Sequence, residues 1–234
     1  MDDFLTAFEY FGYFFVLIAA LASLVISANV KSTFKKYAAV PTRSGLTGAE
    51  AARQVLLENG VTGVSIARCS GELTDHFDPR DNTIYLSDAV YDQPSAAAVG
   101  VAAHEAGHAV QHAVGYFPIR VRQAIIPVTN IGSWLSTPLL LIGLIFSIYP
   151  LAMLGVLLFG LSVVFQLVTL PVEFDASGRA LKCLSASGML EGEGLAGARK
   201  TLRAAALTYV AALAVALLQF LRLLAIVSGG RRRR

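Results

Sequence analysis

Residues Gln123 to Val172 form a run of 50 consecutive residues without a charged side chain. A helix crosses the hydrocarbon core of a bilayer in about 20 residues, so this run suits two crossings of about 20–25 residues each. Tyr149-Pro150 lies between the two halves and predicts the hairpin that joins them. Only 15% of the chain is charged, whereas soluble domains hold about 25%. The sequence therefore predicts a mainly α membrane protein.

A further span is predicted near the N-terminus, where the 21 residues Tyr10–Val30 carry no charge. Acidic residues precede this stretch, which is unlike a signal peptide, and Lys31, Lys35 and Lys36 follow it. By the positive-inside rule the N-terminus lies outside and residue 31 onward is cytoplasmic. We therefore expect a multi-pass protein of the cell membrane.

The 18 uncharged residues Ala204–Leu221 make a marginal fourth span. A crossing here would place Arg222 and Arg231–Arg234 outside, against the positive-inside tendency. Either this segment is re-entrant or packed at the surface, or the basic residues earlier in the chain set the topology, which we favour.

Five segments follow from these features, with about four transmembrane helices. They are an N-terminal transmembrane helix (1–30), a soluble part (31–122), a transmembrane hairpin (123–172), a helix followed by a loop (173–203), and a hydrophobic helix with a basic tail (204–234).

The soluble part begins with a helix and two short strands. Thr47-Gly-Ala-Glu50 has the pattern of a capping box, and the helix it opens should stop at Gly60. Val64–Arg68 and Thr83–Leu86 are predicted as strands of a hairpin. The second could be an edge strand that holds an extended peptide by main-chain hydrogen bonds, or could simply complete a small sheet.

Ser95 to Gly115 is predicted to be a helix, with a serine N-cap and a C-terminal glycine. His104 and His108 are separated on it by about 40° of rotation and about 6 Å of rise, so both rings project from one face. Glu105 lies beside them, where its carboxylate can reach water without being a ligand. This H-E-x-x-H arrangement is typical of zinc hydrolases, and it predicts Zn²⁺ bound by the two histidines with Glu105 as the catalytic base.

A zinc site needs a third protein ligand. His112 is on the same helix, but it is about 12 Å from His104 along the axis and about 80° around it, which argues against it. Glu173, the first charge after the long apolar run, should emerge on the same side as the histidines. We favour Glu173, at the start of a helix, as the ligand; the alternatives are a glutamate that only stabilises the helix dipole, and Asp175 as ligand or as partner of a histidine.

Other functions have little support in the sequence. Cys69 and Cys183 are far apart and show no metal-binding spacing. The net charge is only +3, and 4 of the 19 basic residues form the terminal arginine run, so nucleic-acid binding is not expected. Glu191 and Glu193 lie in a glycine-rich segment and should be solvated loop carboxylates.

Several stretches together resemble the YugP-like family of membrane-bound neutral zinc metallopeptidases. They are Leu73–Pro79, Leu86–Tyr91, Val101–Ala109 and Leu170–Ser177. The resemblance implies a small α+β gluzincin-like peptidase domain, distantly similar to other membrane gluzincins with a Glu-Tyr-x-Ala-Asp motif. Glu173-Phe-Asp-Ala-Ser177 matches that motif except at its final serine. The match supports Glu173 as ligand, and the departure leaves the role of the final acid unfilled or shifted to Asp175.

The expected activity is that of a zinc metalloendopeptidase acting on a protein or peptide from the cytoplasmic side, with membrane lipid around its spans. His76, Arg179 and Tyr209 are candidates for stabilising the oxyanion. The rival readings are an intramembrane protease of the site-2 type, whose Leu-Asp-Gly signature we do not find, and a membrane scaffold with structural zinc. The oligomeric state stays open.

Overall fold

The computed structural model describes residues 2–232, with side chains described for residues 11–229. The side chains of Asp2, Asp3, Glu9 and the terminal arginine run therefore lie outside the described part of the chain. The described helices are α1 (Asp2–Ala38), α2 (Gly48–Glu58), α3 (Ala96–Ala113), α4 (Phe117–Ile145), α5 (Tyr149–Ala186) and α6 (Gly192–Arg232). The described strands are β1 (Ser65–Cys69), β2 (His76–Asp78) and β3 (Thr83–Ser87).

Four of the described helices are long and apolar enough to cross a membrane, as the sequence predicted. The candidate spans are Phe11–Ala38, Phe117–Ile145, Tyr149–Ala186 and Gly192–Gly229. The connection within the long apolar run lies at residues 146–148, and Tyr149-Pro150 begins α5 instead of forming the turn. Proline fits there because the first turn of a helix has no backbone partner for its missing N–H.

α5 differs from the prediction because it does not end at Val172. Pro171 lies inside the helix, which continues to Ala186. Proline inside a membrane helix is tolerated when neighbouring groups satisfy the backbone that it disrupts. The expectation that Glu173 starts a helix is therefore wrong: Glu173 lies in the interior of α5. The predicted glycine-rich loop is also shorter, since α6 already begins at Gly192.

The sheet has the order β1-β3-β2. β1 pairs with β3 in parallel, and the short β2 pairs with β3 in antiparallel fashion. The predicted hairpin between Val64–Arg68 and Thr83–Leu86 is therefore wrong, because two parallel strands cannot be joined by a tight turn. β3 is the central strand, so the edge position suggested for Thr83–Leu86 is wrong too.

The described chain divides into two compact units. The first contains residues of Met1–Ile26, Val121–Leu170 and Thr208–Arg234, and the second contains Ser27–Arg120 and Pro171–Leu207. In the first, Leu140, Ala152, Val156 and Val227 form a small buried cluster. In the second, one core joins α2, α3 and β3 to the last turns of α5 and the first turns of α6. This second core surrounds α3.

Candidate metal centre

α3 forms where the sequence predicted it. The Ser95 side chain accepts a hydrogen bond from the backbone N–H of Ala98, at 3.3 Å, and so caps the helix. Gly115 follows the C-terminus with a φ of +64°, a backbone conformation that favours glycine. Most of the helix is buried, because alanine, valine and glycine allow its neighbours to approach on several sides.

α3 and α5 approach closely at Gly107. A Cβ atom built at Gly107 would lie 2.8 Å from the carbonyl oxygen of Ala176. On the same helix, a Cβ atom at Gly100 would lie 3.0 Å from the Cβ of Ala198 on α6. The missing side chain at 107 thus lets the histidine-bearing helix lie directly against the helix that carries Glu173.

His104, His108 and Glu173 come together across this contact. The Nε2 atoms of His104 and His108 lie 3.3 and 3.5 Å from Oε2 of Glu173. One ligand atom from each of the three residues lies within 4.8 Å of the others. Glu173 is only 2% exposed. The three residues predicted as metal ligands therefore form a single buried cluster.

The other ring nitrogens of the two histidines have their own partners. Nδ1 of His104 lies 3.1 Å from the Ser177 hydroxyl oxygen, and Nδ1 of His108 lies 3.1 Å from Oε1 of Gln111. With Nδ1 of each ring engaged in this way, Nε2 is the nitrogen that is left to bind a cation. Ser177, which stands at the motif position of the family's final acid, thus contacts one of the two histidines.

Glu105 is buried beside the cluster, with 8% of its surface exposed. Burial raises the pKa of its carboxyl group, an effect that the nearby His104 and His108 oppose. For His108, burial works against the charged form, but the Glu173 and Glu105 carboxylates outweigh it and raise the pKa. The two carboxylates thus favour a positive charge in this buried cluster.

The donor set fits zinc. Two imidazole nitrogens and one carboxylate oxygen are the ligands of His₂Glu catalytic sites, which keep a fourth position for water or substrate. Buried carboxylates beside neutral histidines need a compensating cation, and both rings have Nδ1 engaged elsewhere. His104, His108 and Glu173 would therefore hold the ion.

Comparison with known proteins agrees with this geometry. The family described as "Putative neutral zinc metallopeptidase" matches residues 12–228. The chain belongs to this family. It is also 44% identical over 220 residues to the "Putative membrane protease YugP" of Bacillus subtilis (strain 168), covering 94% of this chain and 98% of that protein. No solved structure matches. The resemblance seen in the sequence is thus confirmed, and the chain is a membrane protein with a homologue named as a membrane protease.

Two other candidate ligands, His112 and Asp175, lie in the same unit of this zinc metallopeptidase family member but have other partners. His112 faces the ring of Phe77, with centroids 5.8 Å apart, and is not part of the ligand cluster. Asp175 accepts hydrogen bonds from Gln111 and Arg179, which makes it a partner of a ligand-holding residue instead of a ligand. These contacts link Asp175 to His108 through Gln111, whereas the sequence suggested a direct partner of a histidine.

None of the three residues suggested for the oxyanion belongs to the ligand cluster. His76 is exposed, with Nδ1 2.8 Å from the Thr74 carbonyl oxygen and its ring stacked on Tyr85. Arg179 donates to Asp175 at 2.6 Å. Tyr209 lies on α6, in the first unit.

Sequence reasoning missed Gln111 and the role of Ser177. Gln111 has no exposed surface and makes three side-chain hydrogen bonds near the cluster. The available signal was its position three residues after His108, because residues at this spacing are neighbours on a helix. A lone polar residue in an apolar helix can equally be solvent-exposed, so only the fold shows that Gln111 is buried and contacts His108.

Proposed function

We propose that this chain is a membrane-embedded zinc metalloendopeptidase of the gluzincin type. The observation that carries the proposal is the convergence of His104, His108 and Glu173, with buried Glu105 next to the two histidines. Glutamate as third ligand on a second helix is the donor pattern of thermolysin-type enzymes. The family name and the homologous membrane protease support the same activity.

Each residue has a defined task in this mechanism. Zn²⁺ held by His104, His108 and Glu173 supplies a Lewis acid that polarises a carbonyl and acidifies water. Glu105 accepts the proton of the attacking water on its carboxylate and later donates it to the leaving amine. Glu105 suits this task by its place, since its buried carboxylate lies next to both histidines.

The peptide substrate would bind along β2. This strand lies at the edge of the sheet and contacts α3 through Phe77 and His112. An extended peptide can add to an edge strand by main-chain hydrogen bonds, which are independent of sequence. β2 thus takes the role that the sequence had suggested for Thr83–Leu86.

The donor set favours a catalytic site over a structural one. Structural zinc usually has four protein ligands, often including cysteine. Among the described residues the cluster has three members. Cys69 lies against Thr74, and Cys183 donates to Glu58, so both cysteines are engaged elsewhere.

The orientation of the site is part of the proposal. Lys31, Lys35 and Lys36 lie at the C-terminal end of α1, after its uncharged stretch, and lysines there favour the cytoplasmic side. We therefore infer a cytoplasmic active site, with lipid around the four apolar helices.

The test is zinc content and casein hydrolysis of the full chain, purified in detergent, for the wild type and three variants. Glu105→Gln should keep zinc and lose cleavage by about 10²–10⁴-fold, the usual contribution of a general base. Glu173→Ala should lose both. Glu191→Gln, which removes an exposed carboxylate from the same unit, is the control and should keep both.

Two results would contradict the proposal. If Glu173→Ala kept full zinc and activity, the third ligand would be wrong. If the wild type held zinc but cleaved neither casein nor a peptide library, the structural role of zinc would be favoured instead.

A further inference from the structure

Gln111 is the one fully buried amide among the largest buried side chains of the described chain. Its Oε1 lies 3.1 Å from Nδ1 of His108. Its Nε2 donates to the backbone carbonyl of Val172 at 2.8 Å and to Oδ2 of Asp175 at 2.7 Å. A buried amide is costly unless it is hydrogen-bonded, and here both ends have partners.

These partners determine which way the amide points. Its –NH₂ group has two hydrogens to donate, and the Val172 carbonyl and the Asp175 carboxylate can only accept. With the amide turned over, its oxygen would face two acceptors. The oxygen must therefore face His108.

The orientation of the amide in turn determines the tautomer of His108. An amide oxygen can only accept, so Nδ1 of His108 must carry the hydrogen. In the neutral ring the lone pair is then on Nε2, the atom that faces Glu173 at 3.5 Å. Because Val172 immediately precedes Glu173, the same amide also ties α3 to α5 beside the third ligand.

Arg179 and Tyr116 make further contacts with Asp175 and Gln111. Arg179 donates from Nε to Oδ2 of Asp175 at 2.6 Å. The same oxygen accepts the hydrogen bond from Nε2 of Gln111. The guanidinium of Arg179 lies 5.7 Å from the ring centroid of Tyr116, and the backbone N–H of Tyr116 donates to the carbonyl of Gln111. The contacts thus lead from Gln111 through Asp175, Arg179 and Tyr116 back to Gln111.

We propose that Gln111 is a positioning residue for His108, and that Asp175 acts on His108 through it. The inference rests on the proposed zinc site. Gln111 does not touch substrate or ion; it holds the neutral His108 ring in the tautomer and orientation in which the Nε2 lone pair faces Glu173. Asp175 keeps the Gln111 amide in the one orientation that allows this.

The test measures metal affinity by competition with a chromophoric chelator, using the full chain in detergent and Zn²⁺. The variants are Gln111→Met, Asp175→Ala and the double variant, and the visible spectrum of bound Co²⁺ reports the ligand geometry. Methionine has a similar size but cannot replace these hydrogen bonds. Thr201→Val is the control, because Thr201 is buried and donates only to Gly197 within α6, away from the site.

Gln111→Met should weaken Zn²⁺ binding by about 10–100-fold, the usual effect of losing the partner of a metal-bound histidine, and should alter the Co²⁺ spectrum. Asp175→Ala should weaken it less. The double variant should match Gln111→Met alone, since residues that act through one another are not additive. Thr201→Val should leave affinity and spectrum unchanged, whatever it does to the melting temperature.

An affinity of Gln111→Met within twofold of the wild type, with the same Co²⁺ spectrum, would overturn the positioning role. Fully additive losses in the double variant would overturn the path through Asp175. If Gln111→Met does not fold, an unchanged affinity and spectrum in Asp175→Ala, which keeps Gln111, would also count against it. A wild type that binds no Zn²⁺ would overturn the proposed function together with this inference.

Discussion

A side chain at Gly107 would place its Cβ 2.8 Å from the carbonyl oxygen of Ala176, closer than a carbon atom normally approaches an oxygen. This approach brings α3 and α5 together at the level of the site. His104 and His108 lie on either side of Gly107, and Glu173 lies one turn before Ala176. The separation of the two helices therefore controls whether the three ligand atoms can reach one ion.

Gly107→Ala should destabilise the protein by about 1–3 kcal/mol, as overpacking usually does, and weaken Zn²⁺ binding at least about tenfold. Intrinsic helix propensity predicts the opposite, since alanine is better than glycine by about 1 kcal/mol. Thermal unfolding and chelator competition measure the two effects.

Gly178→Ala is the matched control. Gly178 is also helical, but a Cβ there meets nothing within 4 Å. This variant should be neutral or slightly more stable and should bind Zn²⁺ normally. If Gly107→Ala bound Zn²⁺ as tightly as the wild type, the distance between α3 and α5 would not determine the Zn²⁺ affinity.

Ser177→Ala should weaken Zn²⁺ binding by about tenfold, because Nδ1 of His104 loses the hydroxyl that lies 3.1 Å away. The ring could then turn, or adopt the tautomer that places the hydrogen on Nε2. Ser185→Ala, at an exposed position of the same helix, should leave the affinity unchanged. Equal affinities for both variants would argue that the Ser177 contact is incidental.

Glu50→Gln should change how stability depends on pH. Glu50 accepts from the Thr47 backbone N–H and hydroxyl, both at 2.9 Å, and these bonds lower the pKa of its carboxyl group below 4.5. A lowered folded-state pKa stabilises the fold above the unfolded value, and the gain is lost as the pH falls through the folded one. Glutamine can keep the capping box but carries no charge.

The melting temperature of the wild type should therefore exceed that of Glu50→Gln most near pH 7, and the difference should shrink as the pH falls below 4.5, the ordinary pKa of a glutamate. Other titrating groups cancel in this difference. Glu58→Gln, at the other end of α2, is the charge-matched control. A difference that stays constant over this range would contradict the assignment.

Local patterns predicted the elements that depend on neighbours in the chain. The caps of α2 and α3 are confirmed at Thr47 and Ser95, because an N-cap bond joins residues three apart. The four candidate spans are confirmed because their length and lack of charge are properties of single segments. Conversely, the suggestion that Thr83–Leu86 could be an edge strand is wrong, because strand order is not a property of either strand alone.

The sequence by itself determined the membrane class, the family and the pair of histidines with Glu105. Each of these depends on residues that are close together in the chain. Only the tertiary structure decided that Glu173 lies inside a helix, and that Ser177 and Gln111 hold the two rings. The contacts that Gln111 makes with Val172 and that His104 makes with Ser177 join residues 61 and 73 positions apart. Such pairs are brought together by the close packing of α3 on α5, which no local pattern encodes.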